Sequence, residues 1–122
     1  MQNEKNKTER YGFPPQQKAM LESLSQPLAV YQFVDSRVVT LVLPDGFCEL
    51  FGYPDRARAV YEMDNDMYKY DHPDDVARIA NAALRFATKG GEYDVIYRTK
   101  NRKGAGYRVV HATGTWIWKQ TG

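Results

Sequence analysis

The sequence predicts an α+β fold: an antiparallel sheet with helices packed on one face. Three observations predict it. Two pairs of β-type runs, 28–43 and 92–118, are each joined by a turn-forming segment. A strongly amphipathic pattern at 71–91 reads as one long helix between them. Shorter helical patterns precede each of these blocks, so the order is helix, hairpin, short helices, long helix, hairpin.

The elements follow in chain order. Residues 1–15 are polar until Gly-Phe-Pro-Pro and read as a flexible lead-in. Gln16 to Leu24 holds good helix formers with Met20, Leu21 and Leu24 on one side, and Pro27 ends that helix. LAVYQFV (28–34) and VVTLVL (38–43) are β-branched and aromatic, and Asp35-Ser36-Arg37 suits a tight turn. The second run is apolar except for Thr40, as in a strand covered on both faces. Asp45 is placed to cap a helix that carries Phe47, Leu50 and Phe51 on one face. Gly52 and Pro54 end it after about two turns. Residues 55–71, with Tyr61, Met63, Met67, Tyr68 and Tyr70, predict short helical turns rather than one helix.

The long helix has the clearest signals. Asp71 or His72 is the cap, Pro73 fits the first helical position, and Asp74 and Asp75 suit the positive end of the helix dipole. Val76, Ile79, Ala80, Ala83, Phe86 and Ala87 trace one apolar face, and Gly90-Gly91 stops it. EYDVIYRT (92–99) and YRVVHATGTWIW (107–118) form the second hairpin across KNRKGAG, with a bend expected at Gly114.

The chain's 122 residues fit one domain, and its 43% hydrophobic content is ordinary for a globular protein. Nothing apolar runs long enough to span a membrane, and MQNEKNKTER has no apolar signal core. A single cysteine excludes an internal disulfide framework and a multi-cysteine metal site. A cytoplasmic setting follows as the default. The net charge of +2 does not suggest a nucleic-acid-binding protein.

Three segments carry a family likeness: DGFCELFGY (45–53), YDHPDDV (70–76) and EYDVIYRTKNRKGAGYRVVHATGTW (92–116). In this order and spacing they resemble a PAS domain, the sensory module of bacterial signalling proteins. The likeness runs from about residue 26 to the end, leaving 1–25 as lead-in and flanking helix. It is closest to the kind placed ahead of diguanylate cyclase or histidine kinase modules. Two departures stand out. Pro44 occupies the position where the family often has Ser or Asn tying strand to helix. The resemblance also implies a fifth, central strand after TWIWKQ, where this sequence stops at Gly122. The expectation is an excised piece of a longer protein, with two open strand edges. Otherwise residues 1–15 or a strand from another copy fill the slot.

The candidate chemical groups reduce mostly to structure. Cys48 sits among Phe47 and Phe51 without a basic neighbour in sequence and reads as a small apolar residue. The Asn-Cys-Arg-Phe-Leu-Gln motif of flavin-binding relatives is absent. His72 precedes the long helix as cap or turn residue, whereas the resemblance would place a haem ligand on or near that helix. His111 shares a strand face with Val109 and Thr113, lining a pocket or facing solvent. Two separated histidines make no metal signature. Asp74 and Asp75 are explained by the helix dipole. Lys100, Arg102 and Lys103 read as a solvated hairpin tip. No phosphate loop, nucleophile elbow or Gly-Gly-Asp-Glu-Phe motif is present.

The aromatic residues remain. Tyr31, Phe33, Phe47, Phe51, Met63, Met67, Tyr70, Ile79, Tyr97 and His111 are the candidates for a small-molecule pocket between sheet and helices. Buried tyrosines need hydroxyl partners, which favours a pocket with polar features over a dry core. Two functions are expected. In one, a sensory domain binds a small molecule and reports to a fused output module. In the other, the core is filled and a homodimerisation module makes contact through Met20, Leu21 and Leu24. No residues support an enzyme in its own right.

Overall fold

A computed structural model describes residues 10–104 and 106–117. Its order is α1 (Pro15–Glu22), β1 (Val30–Val34), β2 (Arg37–Val42), α2 (Asp45–Phe51), α3 (Arg56–Asn65), α4 (Pro73–Lys89), β3 (Tyr93–Lys100) and β4 (Tyr107–Gly114). The α+β class and the element order agree with the sequence. The strands form two separate antiparallel hairpins, β1–β2 and β3–β4, each two strands wide among the described residues. Residues 118–122, after which the expected fifth strand would follow, lie outside the described residues.

The first hairpin turns through Asp35 and Ser36, both with positive φ (56° and 63°). These are the conformations a two-residue turn requires if its twist is to match the strands. Both faces of β2 are covered: Val39, Thr40 and Val42 are buried. Its free edge is also occupied. The Thr40 N–H donates to Asp64 Oδ1 (2.8 Å), and Arg10 donates to the Thr40 carbonyl (3.1 Å). The lead-in, expected to be flexible, is therefore tied down from Arg10 onward; residues 1–9 lie outside the described residues. α1 stops at Glu22, short of Leu24, and buries none of its residues.

Asp45 is not the cap of α2. It is the first helical residue, behind Pro44, and its carboxylate accepts from Arg56 (2.8 Å). Gly52 ends α2 in the left-handed conformation (φ 81°). The segment after Pro54 is also more regular than expected. α3 is a ten-residue helix, because Asp55 caps it by accepting from the Arg58 N–H (2.7 Å).

α4 begins at Pro73, with His72 Nδ1 accepting from the Asp74 N–H (3.1 Å). It is fastened to β3 by Asp75, whose carboxylate accepts from Arg98 N (2.9 Å), Nε (3.0 Å) and Nη2 (2.8 Å). The segment 70–72 runs along the same strand: His72 N–H donates to Arg98 O and Lys100 N–H to Tyr70 O. β4 ends at Gly114, where a bend was expected. The core cluster is Leu43, Phe47, Phe51, Tyr53, Ala59 and Met63. Ala29 and Val110 pack on it from the two hairpins.

Candidate functional site

Two groups of side chains surround this core. The first is a set of tyrosines between the hairpins. Tyr31 projects from β1, and its hydroxyl reaches Met63 Sδ at 3.7 Å. Tyr93 and Tyr97 come from β3, Tyr68 and Asp71 from the segment before α4, and Tyr53 from the segment after α2. Burial pushes the Tyr31 hydroxyl pKa well above its ordinary value, with Tyr97, Tyr93, Tyr53 and Tyr68 adding to it. Tyr97, Tyr93 and Tyr68 are raised for the same first reason, and the nearby Asp71 carboxylate reinforces it. These phenols stay protonated at neutral pH and remain hydrogen-bond donors. Asp71 is itself raised by burial, against the Thr99 hydroxyl and Arg102, which lower it.

Tyr31 is the informative member. Its hydroxyl lies deep enough to be strongly desolvated, yet 37% of the residue remains exposed. Tyr31 is thus open to solvent on one flank while its hydroxyl lies against Met63.

The second group surrounds Arg102. Its guanidinium carbon lies 4.3 Å from the Tyr70 ring centre, 4.7 Å from Tyr53 and 5.0 Å from Phe51. The solvated tip expected at Lys100, Arg102 and Lys103 is thus wrong for Arg102, which turns inward. Its backbone N–H donates to the Phe51 carbonyl (2.8 Å), and Asn101 Nδ2 donates to Leu50 O (3.1 Å). Both carbonyls belong to the last turn of α2, whose acceptors have no helical partner. Beside the cage, Glu62 is 5% exposed and Tyr53 is 5% exposed. Burial would raise the Glu62 pKa. The Arg58 hydrogen bond, the charges of Lys69 and Arg58, and the Tyr70 hydroxyl together bring it below its usual value. Burial pushes the Tyr53 hydroxyl to about 12, against the pull of Arg102.

The pocket candidates are dispersed by the fold. Phe47, Phe51 and Met63 belong to the closed core, and Met67 packs against it. Tyr31 and Tyr97 belong to the tyrosine set, and Tyr70 faces Arg102. Phe33 is half-buried on β1, and Ile79 is buried on α4. His111 stands on the outer, exposed face of the second hairpin, 2.7 Å from Asp94. Sequence reasoning missed Tyr53, Tyr68, Tyr93 and Asp71; the density of tyrosines was the signal for them. Cys48 is half-buried against the core, and burial raises its thiol pKa. A recess of about 70 Å³ between α2 and the second hairpin, lined by Leu50, Phe51, Thr99 and Val110 among others, has room for little more than water. Among the described residues no cluster of three His, Cys, Asp or Glu is placed to hold a metal. No helix there is long and apolar enough to cross a membrane.

An α+β domain with a short helix closing on Phe-Gly-Tyr, a His-Pro-capped long helix and a following hairpin is the architecture of a sensory module. Residues 41–122, more than half of the chain, match the family model described as the PAS fold, and the chain belongs to that family. PAS domains are regulatory sensory modules rather than catalysts. No curated protein and no solved structure matches the chain.

Proposed function

We propose that this PAS domain senses a small molecule seated among these tyrosines and passes its occupancy to a fused output module. The observation that carries this reading is the gathering of Tyr31, Tyr68, Tyr93 and Tyr97 near Asp71, with Tyr31 in contact with Met63 Sδ and still 37% exposed. Tyr31, Tyr97, Tyr93 and Tyr68 offer neutral donors, and Asp71 offers an acceptor. They suit a polar, partly aromatic ligand, which would act by favouring one of two arrangements of the module. The output module is a diguanylate cyclase on this reading, with a sensor histidine kinase as the alternative, in the bacterial cytoplasm.

Homodimerisation through α1 is the second part of the proposal. It is supported by a helix that buries none of its residues and leaves Met20 66% exposed.

Native mass spectrometry of the protein as purified tests the ligand. A discrete added mass, lost on denaturation, is expected, and Tyr97→Phe is expected to weaken its retention about three- to tenfold. A bare chain that also gains no thermal stability from any member of a metabolite panel overturns the sensing reading.

A further inference from the structure

The cage around Arg102 is an unusual place for an arginine. Three aromatic faces within 6 Å of a cation form the kind of box that recognises organic cations. Its walls are firm: Phe51 and Tyr53 are buried, and the Tyr53 ring lies nearly parallel to Phe47, 6.3 Å away. The resident fits it poorly. Arg102 Nη1 donates to Lys100 O (2.9 Å) and weakly to Thr99 Oγ1 (3.4 Å), but its buried Nε has no partner. Among the described residues no carboxylate pairs with it. Around it, the Tyr53 hydroxyl makes only a poorly aligned contact with the Arg102 guanidinium, which lowers its pKa without meeting hydrogen-bond geometry. Glu62 uses Oε2 for Arg58 (2.8 Å) and Lys69 (3.8 Å); the Tyr70 hydroxyl stands near its carboxylate, but the buried Oε1 makes no bond in hydrogen-bonding geometry. Arg102 Nε, Glu62 Oε1 and the Tyr53 hydroxyl are thus buried around one aromatic box without a well-formed hydrogen bond, a cost that a better-fitting occupant would reduce.

We propose that the box of Phe51, Tyr53 and Tyr70, with Glu62 beside it, is a binding site for a small organic cation, a guanidinium or alkylammonium compound, and that Arg102 is its displaceable resident. The cation takes the space between the rings, and its N–H groups, where it has them, reach Glu62 Oε1. Arg102 then leaves the box, and the turn it carries, held on the end of α2 through Asn101 and Arg102, is loosened. Occupancy is in this way communicated to the β3–β4 hairpin. The site goes beyond the tyrosine set between the hairpins and is tested without it.

The test titrates the full chain with ethylguanidinium chloride and with choline chloride, against sodium chloride at equal ionic strength. The backbone amide NMR signals of Asn101, Arg102 and Lys103 are followed. A saturable shift is expected with at least one organic cation and not with sodium. Arg102→Ala removes the internal competitor and is expected to bind that cation about tenfold more tightly than the natural chain. Adding Glu62→Gln to that variant is expected to weaken ethylguanidinium binding several-fold. If Arg102→Ala does not fold, Arg102→Gln keeps part of the aliphatic stem against the rings and is judged by the same criterion. The absence of a saturable shift in the natural chain overturns the proposal. So does a variant that binds no more tightly than the natural chain.

Discussion

Asp75 shows how much one side chain decides here. The sequence offers it as one of two acidic residues at the start of α4, and Asp74 keeps that role, with its side chain 80% exposed. Asp75 instead turns to β3, where three donors from Arg98 converge on it and Arg78 stands 3.4 Å away. The Arg98 side-chain and backbone bonds outweigh desolvation and hold its carboxyl below the usual carboxylate range. Because the folded pKa is depressed, the pair's stabilisation is complete above the unfolded value of about 4 and is lost as pH falls through the folded value. Asp75→Asn is therefore expected to lower the melting temperature at neutral pH. The gap to the natural chain should stay constant above about pH 5 and shrink on acidification. Melts followed by circular dichroism over that range check it, and a gap independent of pH would assign the loss to packing alone.

Among the elements, α2 is held at both ends by close approach. A Cβ on Gly46 would collide with the backbone oxygens of Ser25 and Gln26, and the Gly46 N–H donates to Leu24 O (3.0 Å). Gly46→Ala forces main chain apart and is expected to cost about 3 kcal/mol, at the upper end of overpacking effects. Asp55→Ala removes only the cap of α3 and should cost about 1 kcal/mol. Urea denaturation of the two variants checks both magnitudes and their order. These elements also mark what was legible. α4 could be read because its proline, its acidic first turn, its apolar stripe and its glycine stop are all local signals. α3 could not, because its buried positions include Glu62 beside Ala59 and Met63, so charge interrupts the apolar period. Arg102 was hidden for a related reason. In sequence it belongs to a basic, glycine-rich turn, and only the packing of that turn on α2 brings three rings around it.

At the scale of the whole molecule, attachment is uneven. The second hairpin is clamped by Asp75, by segment 70–72 and by the docking of its turn on α2. α1 is held at its end by the Leu24 carbonyl and by Arg56, which donates to Glu22 O at 3.4 Å and stands 3.7 Å from its carboxylate. Segments with little buried surface open at low free energy. Amides of α1 are therefore expected to exchange with deuterium well before those of α4 and β3 in the monomer. The proposed dimer contact through Met20, Leu21 and Leu24 makes the opposite demand on the same helix: association buries it and slows that exchange. Met20 is 66% exposed, so Met20→Asp should leave the melting temperature of the isolated chain nearly unchanged while placing a charge in the contact. Sedimentation velocity should then show a dimer in the natural chain and a shift towards monomer in the variant, with early exchange of α1 restored. A natural chain that stays monomeric at high concentration, or a variant that dimerises equally well, would move the contact away from α1. The exposed outer face of the β3–β4 hairpin, where Ile96 is 54% and Val109 71% exposed, would be the next surface to test.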